Sequence, residues 1–330
     1  MTSLLPLVRN ETLKVWRKKR FFVIVVILAV LIPIFTYAQW KAADSFRAQS
    51  GTDNWRIRAE TQINDYNNRL GSPRIPEEWK QTLRVEVQRL QFHLEHNIDP
   101  NAPSGVTFTR QFAENAIGLF LPLMVMVIAA DLVSSEHAQG TIKLLLTRPV
   151  KRWKVLASKY AALVVYVTLT VLATALLSYG ISGAAFGYAG WRVPVLTGFA
   201  VTPGGIDTTH AHTVEQWLYV LMVLGLVWFS CMVVAALSLM VSVLVRSTAA
   251  GMGIMLALLI AGSILANMAA NWEQAKYFFM VNLNTATYLA GQMPPVPGMT
   301  LSFSLIVLTV TALVSVIISF GVFTRRDVMN

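Results

Sequence analysis

Residues 134–159 read SSEHAQGTIKLLLTRPVKRWKVLASK, a basic interlude between two long apolar runs. The stretch carries six Lys or Arg (Lys143, Arg148, Lys151, Arg152, Lys154 and Lys159) against one acid, Glu136. A loop so basic between membrane spans belongs on the cytoplasmic side. Gly140-Thr141 opens a short apolar segment, Ile142 to Leu146, and Pro149 closes it. The pattern predicts a short helix lying across the end of a helix pair, with one surface offered to the cytosol.

Composition sets the frame around that loop. With 330 residues, 55% of them apolar and 13% charged, the chain reads as a polytopic membrane protein rather than a soluble domain. A helix needs roughly 20 apolar residues to cross a hydrocarbon core. Six runs meet that length: 21–39, 115–133, 157–186, 216–245, 249–270 and 299–323. No Asp, Glu, Lys or Arg occurs in 160–191, 216–245, 247–272 or 277–324. A charge at a helix centre costs about 2.5–3.5 kcal/mol on insertion scales, so stretches this clean point to membrane spans. The predicted fold class is an all-α polytopic membrane protein with six transmembrane helices.

The net charge of +10 is about orientation, not nucleic acid. Residues 1–20 hold six basic residues and one acid, and 131–159 hold six and two. By contrast, 40–114 balances ten basic residues against ten acidic ones. The excess lies on one side of the proposed topology, as the positive-inside bias requires. Both termini are therefore expected in the cytoplasm, with 40–114 extracellular.

The connections have their own character. In 1–20, Leu5, Val8, Thr12 and Val15 share one helical face among basic residues, which predicts an interfacial helix bending into the first span. In 40–114, Trp55, Ala59, Ile63, Tyr66 and Leu70 recur at helical spacing. After Gly71-Ser72-Pro73, so do Trp79, Leu83, Val87, Leu90 and Leu94, giving an external helical hairpin. The Gly-rich 187–215 reads as an external loop, 246–248 as a tight cytoplasmic turn, and 324–330 as a cytoplasmic tail. Residues 271–298, aromatic and ending in Pro294-Pro295-Val296-Pro297, are too polar to span and too apolar for a solvated loop. A re-entrant or interfacial segment fits them. No cleavable signal precedes the first run, which starts at Phe21 and is expected to stay as an anchor. Cys231 is the sole cysteine, so no intramolecular disulfide forms.

Several chemistries are missing from the sequence. There is no Gly-x-x-x-x-Gly-Lys-Ser/Thr loop to cradle ATP phosphates, and no His-Glu-x-x-His for zinc. His93 and His96, like His210 and His212, have no third ligand nearby and are expected to be exposed polar residues rather than a metal site. Ion-coupled carriers keep an ionisable group inside the bundle. Here Asp131 is the one acid within a predicted span, at its cytoplasmic end, with Lys159 or Arg152 as the expected partner. The chain is thus expected to be no enzyme, and to draw on an external energy source.

The coupling loop resembles that of the ABC-2 family of ATP-driven export permeases. In that family a Glu at the end of the second span is followed by Gly-Thr, a leucine-rich turn, a Pro and basic residues. Here these are Glu136, Gly140, Thr141, Leu144, Leu145, Pro149 and Arg152. The resemblance implies a transport subunit without a cofactor of its own, its ATP bound by a separate cytosolic ABC ATPase that docks on this loop. It further implies pairing with a second permease copy or a related one, and a place in a bacterial plasma membrane among its lipids. An amphipathic peptide, antibiotic or lipid-like substrate would then pass near Phe120, Met124, Trp228 and Phe229. The rival readings are a membrane sensor whose 40–114 domain receives a signal, and an ion-coupled carrier.

The charge placement predicts the sidedness of single cysteines in a Cys231→Ser background. Asn64→Cys is expected to react with an impermeant maleimide on intact cells, and Ser135→Cys only after permeabilisation. The opposite labelling pattern overturns the topology.

Overall fold

The structure, a computed structural model, describes residues 4–51, 54–138, 150–202, 205–245 and 247–325. The chain is a mostly helical membrane protein. Among the described residues five helices are long and apolar enough to cross a membrane, and six if one bent pair counts as a single span.

Helix α1 (Leu4–Arg17) lies against the bundle and turns at Lys19, whose φ of 56° is left-handed, into α2 (Arg20–Ser50). The first apolar run ends at 39, but the helix does not. It continues unbroken to Gly51, whose N–H bonds the Arg47 carbonyl at 2.9 Å. Helices α3 (Trp55–Leu70) and α4 (Glu77–Glu95) pack through Ala59, Ile63, Val87 and Leu90. Asn54 caps α3 by accepting from the Arg56 N–H at 3.0 Å.

The run 115–133, expected as one span, is broken. It divides between α5 (Gly105–Ala116) and α6 (Phe120–Ala129), bent by 65°. Gly118 lies in the break, and Pro122 in the first turn of α6 has no N–H to continue an α5 ladder through it. Helix α5 also starts ten residues before the apolar run. Ser104 caps it, accepting from the Thr107 N–H at 3.1 Å. A short helix α7 (Ser134–Ala138) follows.

Helix α8 (Arg152–Phe186) lays a buried stripe of Thr170, Thr174, Ser178 and Ser182 at four-residue spacing. Ser178 donates to the Thr109 hydroxyl at 3.2 Å and Ser182 to the Gly105 carbonyl at 3.3 Å, both on α5. A Cβ on Gly105 would stand 2.8 Å from the Gly183 Cα, so only glycine permits this approach.

The segment 187–215 is not a plain loop. Strand β1 (Pro194–Thr197) pairs antiparallel with β4 (His212–Glu215), and β2 (Ala200–Thr202) pairs with β3 (Gly205–Asp207) inside it. The β-branched residues of these strands, Val195, Thr197, Val201 and Thr202, form runs too short to stand out among the surrounding glycines. The ladder leans on α4, where Gln88 Oε1 accepts from the Ile206 N–H at 2.8 Å.

Helix α9 (Gln216–Leu244) is the centre of the bundle and packs on α5, α6, α8, α10 (Thr248–Met268) and α12 (Leu301–Arg325). Val223, Val227, Cys231 and Leu239 on α9 are fully buried in one core with Leu28 of α2, Leu121 of α6 and Leu163 of α8. Between α10 and α12, three 3-10 turns spanning 269–282 and the single-turn α11 (Ala286–Leu289) fold back on the helix ends. Ala269, Ala275, Val281, Val296 and Met299 form their core.

His93, expected at the surface, is instead 5% exposed on the inner face of α4. Burial, then the cationic Arg89 and Arg110, push its imidazole down from 6.5 to about 4. The folded state therefore binds fewer protons than the unfolded one between these values, and stability falls as pH drops through that window. The shift corresponds to about 3 kcal/mol. The protection of the α4 amides, corrected for the intrinsic pH dependence of exchange, is expected to fall by about ten-fold or more from pH 7 to pH 5 and to lose most of that dependence in His93→Leu.

Candidate functional site

Charged residues converge where α1, the segment from the end of α6 through α7, and the start of α8 meet. Val8, Glu11, Thr12 and Val15 fall on one face of α1, and that face turns inward, leaving Glu11 2% exposed. Lys159, two turns into α8, is fully buried. Its ammonium is surrounded by three oxygens: Glu11 Oε2 at 2.8 Å, Glu136 Oε2 at 2.9 Å and the Leu132 carbonyl at 2.8 Å. Lys14 closes the figure, with Glu11 Oε1 at 2.7 Å and Glu136 Oε1 at 2.8 Å. The result is a neutral four-membered ring in which each carboxylate gives one oxygen to each lysine.

Burial pulls the Lys14 ammonium down, but Glu11 and Glu136 together outweigh it and hold the group above the ordinary lysine value. The lysine is charged at any physiological pH.

A second knot lies beside the ring. Asp131 Oδ2 binds Lys18 at 2.7 Å and Asp131 Oδ1 binds Arg20 at 2.9 Å. These two cations approach from opposite sides of the left-handed Lys19, so the bend between α1 and α2 is what brings both to one carboxylate. Lys18 also donates to the Ser135 hydroxyl at 2.8 Å, and Arg20 to the Val127 carbonyl at 2.9 Å. Ring and knot border a cavity of about 290 Å³.

Asp131 therefore pairs with Lys18 and Arg20, not with Lys159 or Arg152. Lys159 is taken by two other carboxylates, and Arg152 Nη1 turns to the Thr324 carbonyl at the end of α12, at 3.4 Å. Of the predicted coupling residues, Glu136 belongs to the ring and Arg152 does not. Gly140, Thr141, Leu144, Leu145 and Pro149 lie outside the described residues. Sequence reasoning missed Glu11 and Lys14. The available signal was one acid among six cations in residues 1–20, placed on the apolar face rather than the basic one.

The four predicted path residues do not share one chamber. Phe120 stacks edge-to-face with Phe112 at 6.3 Å, and with Met124 and Trp228 it packs on the main core. Trp228 Nε1 donates to the Thr168 hydroxyl at 3.0 Å. Phe229 packs on a separate cluster around Val233 and Leu259. The early start of α5 also adds ionisable groups that the apolar run excluded. Arg110, 7% exposed, lies 5.5 Å over the Tyr219 ring, and Glu114 faces the Tyr219 hydroxyl. Among the described residues no group of three or more His, Cys, Asp or Glu is placed to hold a metal ion.

Residues 81–329 match the family described as a protein of unknown function, DUF2705, and the chain belongs to that family. It is similar along its length to uncharacterized protein YhcI of Bacillus subtilis (strain 168), 27% identical over 334 residues, or 99% of this chain and all of that one. Uncharacterized membrane protein YdbK of the same organism is 28% identical over 215 residues, 64% of this chain and 80% of that one.

Removing one member of a buried ion cluster leaves its partners uncompensated, at a cost of about 3–5 kcal/mol, whereas removing both leaves none. Lys159→Met is expected to lower the thermal midpoint in detergent sharply, and Lys159→Met with Glu11→Gln to recover much of the loss. A double variant no more stable than the single one refutes the ring as the tie between α1 and α8.

Proposed function

We propose that this chain is the membrane-spanning permease subunit of an ATP-driven exporter of the ABC-2 type. The observation that carries the proposal is the ion ring. It fastens α1, the last turn of the second span and the first turns of α8 into one body, and the second span and α8 flank residues 139–149. A push on the connecting segment would be delivered to three helices at once, as a subunit driven from outside requires. The chain itself carries no phosphate-cradling loop, so its ATP is hydrolysed by a cytosolic partner. On this reading both termini and 139–149 face the cytoplasm of a bacterial cell, α3 and α4 face outward, and a second permease copy completes the pathway.

Arg110, Glu114 and Tyr219 favour a second reading, an ion-coupled carrier, because buried ionisable groups at membrane depth are costly and mark ion pathways in such proteins. One reconstitution separates the two. The chain is co-expressed with a candidate cytosolic ABC ATPase and placed in vesicles. The permease reading expects retention of the ATPase on the purified chain and ATP-dependent transport that survives collapse of the proton gradient. Burying a leucine contributes about 1.5–3 kcal/mol, so Leu145→Asp is expected to weaken ATPase retention ten-fold or more, while Lys154→Gln changes it little. Retention unaffected by Leu145→Asp, or transport abolished by a protonophore with ATP present, defeats the proposal.

A further inference from the structure

The cavity of about 290 Å³ beside the ring is bordered by four cations, Lys14, Arg17, Lys18 and Arg20, and by three carboxylates, Glu11, Asp131 and Glu136. The carboxylates are saturated. Each of their six oxygens already faces an ammonium or a guanidinium, at 2.7 to 2.9 Å. With Lys159 behind the wall, five cations meet three acids, an excess of two positive charges.

The cations around the opening are not saturated. An ammonium carries three donors and a guanidinium five. Lys14 uses two, on Glu11 and Glu136, and Lys18 uses two, on Asp131 and Ser135, so each keeps one. Arg20 binds Asp131 and the Val127 carbonyl and keeps three. Arg17 has no ion pair or side-chain hydrogen bond among the described residues. The Lys14 and Lys18 side chains are each 36% exposed and that of Arg20 is 28% exposed, so the unspent donors reach the opening. Ser135, the one uncharged polar residue of the wall, already donates to the Asp131 carbonyl and accepts from Lys18. What the cavity presents is therefore N–H donors with a positive excess, the complement of an anion rich in acceptors.

Apolar surface adjoins the donors. Val23, Ile27 and Val30 follow Arg20 on one face of α2, with Val23 56% and Val30 55% exposed. From Arg20 to Val30 is about 15 Å at 1.5 Å per residue, half of a hydrocarbon core of roughly 30 Å and so the depth of one leaflet. Trp16 meets Phe22 edge-to-face at 4.6 Å beside the bend, as an interfacial aromatic does. We propose that the cavity holds the phosphodiester headgroup of an anionic phospholipid whose acyl chains lie along α2. A zwitterionic headgroup brings an ammonium of its own to a wall already in cationic excess, and a free phosphate leaves the apolar stripe unused. Phe120, Met124, Trp228 and Phe229 are not among the lining residues, so the lipid is a resident of the leaflet that meets α1 rather than cargo. The inference does not rest on the exporter reading.

The test uses the full chain in detergent micelles, with bound lipid counted by native mass spectrometry. The probes are phosphatidylglycerol, phosphatidylcholine with the same acyl chains, and glycerol phosphate, which keeps the phosphate and lacks the chains. One phosphatidylglycerol is expected to bind about ten-fold or more tightly than phosphatidylcholine, and glycerol phosphate not to bind at the same concentrations. Arg9 and Arg17 are both exposed cations of α1, but only Arg17 lines the cavity. Arg17→Gln is expected to weaken the first phosphatidylglycerol about five-fold or more, whereas Arg9→Gln changes it little. Arg17→Gln is also expected to lose the rise in thermal midpoint that phosphatidylglycerol causes, with its midpoint in phosphatidylcholine unchanged. The proposal is overturned if no phosphatidylglycerol is retained, if the two phospholipids bind equally, or if glycerol phosphate binds as tightly as the lipid. Equal losses in Arg9→Gln and Arg17→Gln, the mark of diffuse attraction to any basic surface, overturn it too.

Discussion

The ammonium of Lys159 has no access to solvent, and the placement of α1 follows from how that charge is satisfied. A lone buried ammonium would be very costly, and one carboxylate would satisfy only one of its three protons. Three oxygens around it meet the full requirement, but they bring two negative charges for one positive one. Lys14 supplies the missing cation, and because it sits one turn beyond Glu11 on α1, the helix is recruited along with it. Helix α1 is thus not only a lipid-facing flank. Leu5, expected on the inward face but 78% exposed, and Trp16, 48% exposed, suit a membrane interface, while Glu11 and Lys14 complete an electrostatic structure the bundle cannot complete alone.

The ring and a second cavity, of about 500 Å³, share one element. Asp131 and Glu136 follow α6 at one end, and Asn115 with Gly118 and Leu119 borders the second cavity at the other. At 1.5 Å per residue, α6 is about 15 Å long, and a turn at 130–133 leads from it to α7. Leu121, Val125, Ile128 and Ala129 bury α6 against α9, so it moves as a unit if it moves at all. The 65° break after α5 is the place where such movement can be absorbed without unpacking α5 from α8, whose backbones touch at Gly105 and Gly183.

What was legible in the sequence had a strong periodic or compositional signal. The apolar runs marked the long helices, and the four- and three-residue spacing from Trp55 to Leu70 marked α3. What was not legible depended on partners distant in the chain. Glu11 and Lys159 are separated by 148 residues, and nothing local to either reveals that they meet. Asp131 was assigned to cations near it in sequence because the left-handed turn at Lys19, a single non-glycine departure, cannot be read from composition. The broken second span was hidden because a hydropathy average runs straight through Gly118 and Pro122. The β pairs of 194–215 were hidden by the glycines around them, and His93 by its polar neighbours on α4.

The network also changes how the chain's basic residues should be counted. Residues 1–20 and 131–159 together carry twelve cations and three acids, an excess of nine. All three acids, Glu11, Asp131 and Glu136, are in the ring or the knot, and they occupy four of the cations: Lys14, Lys18, Arg20 and Lys159. That accounts for one unit of the excess and leaves eight among the remaining lysines and arginines. Orientation depends on Lys and Arg near the ends of spans rather than on net charge. The proposed sidedness therefore does not borrow from the charges that hold α1 in place. Two populations of basic residue coexist in the same short stretches: one is spent internally on three carboxylates, and the other flanks the helix ends. The first is enclosed by three buried carboxylates, which is why a substitution at the fully buried Lys159 and one at the partly exposed Lys154 belong to different physical problems although the two lie five residues apart.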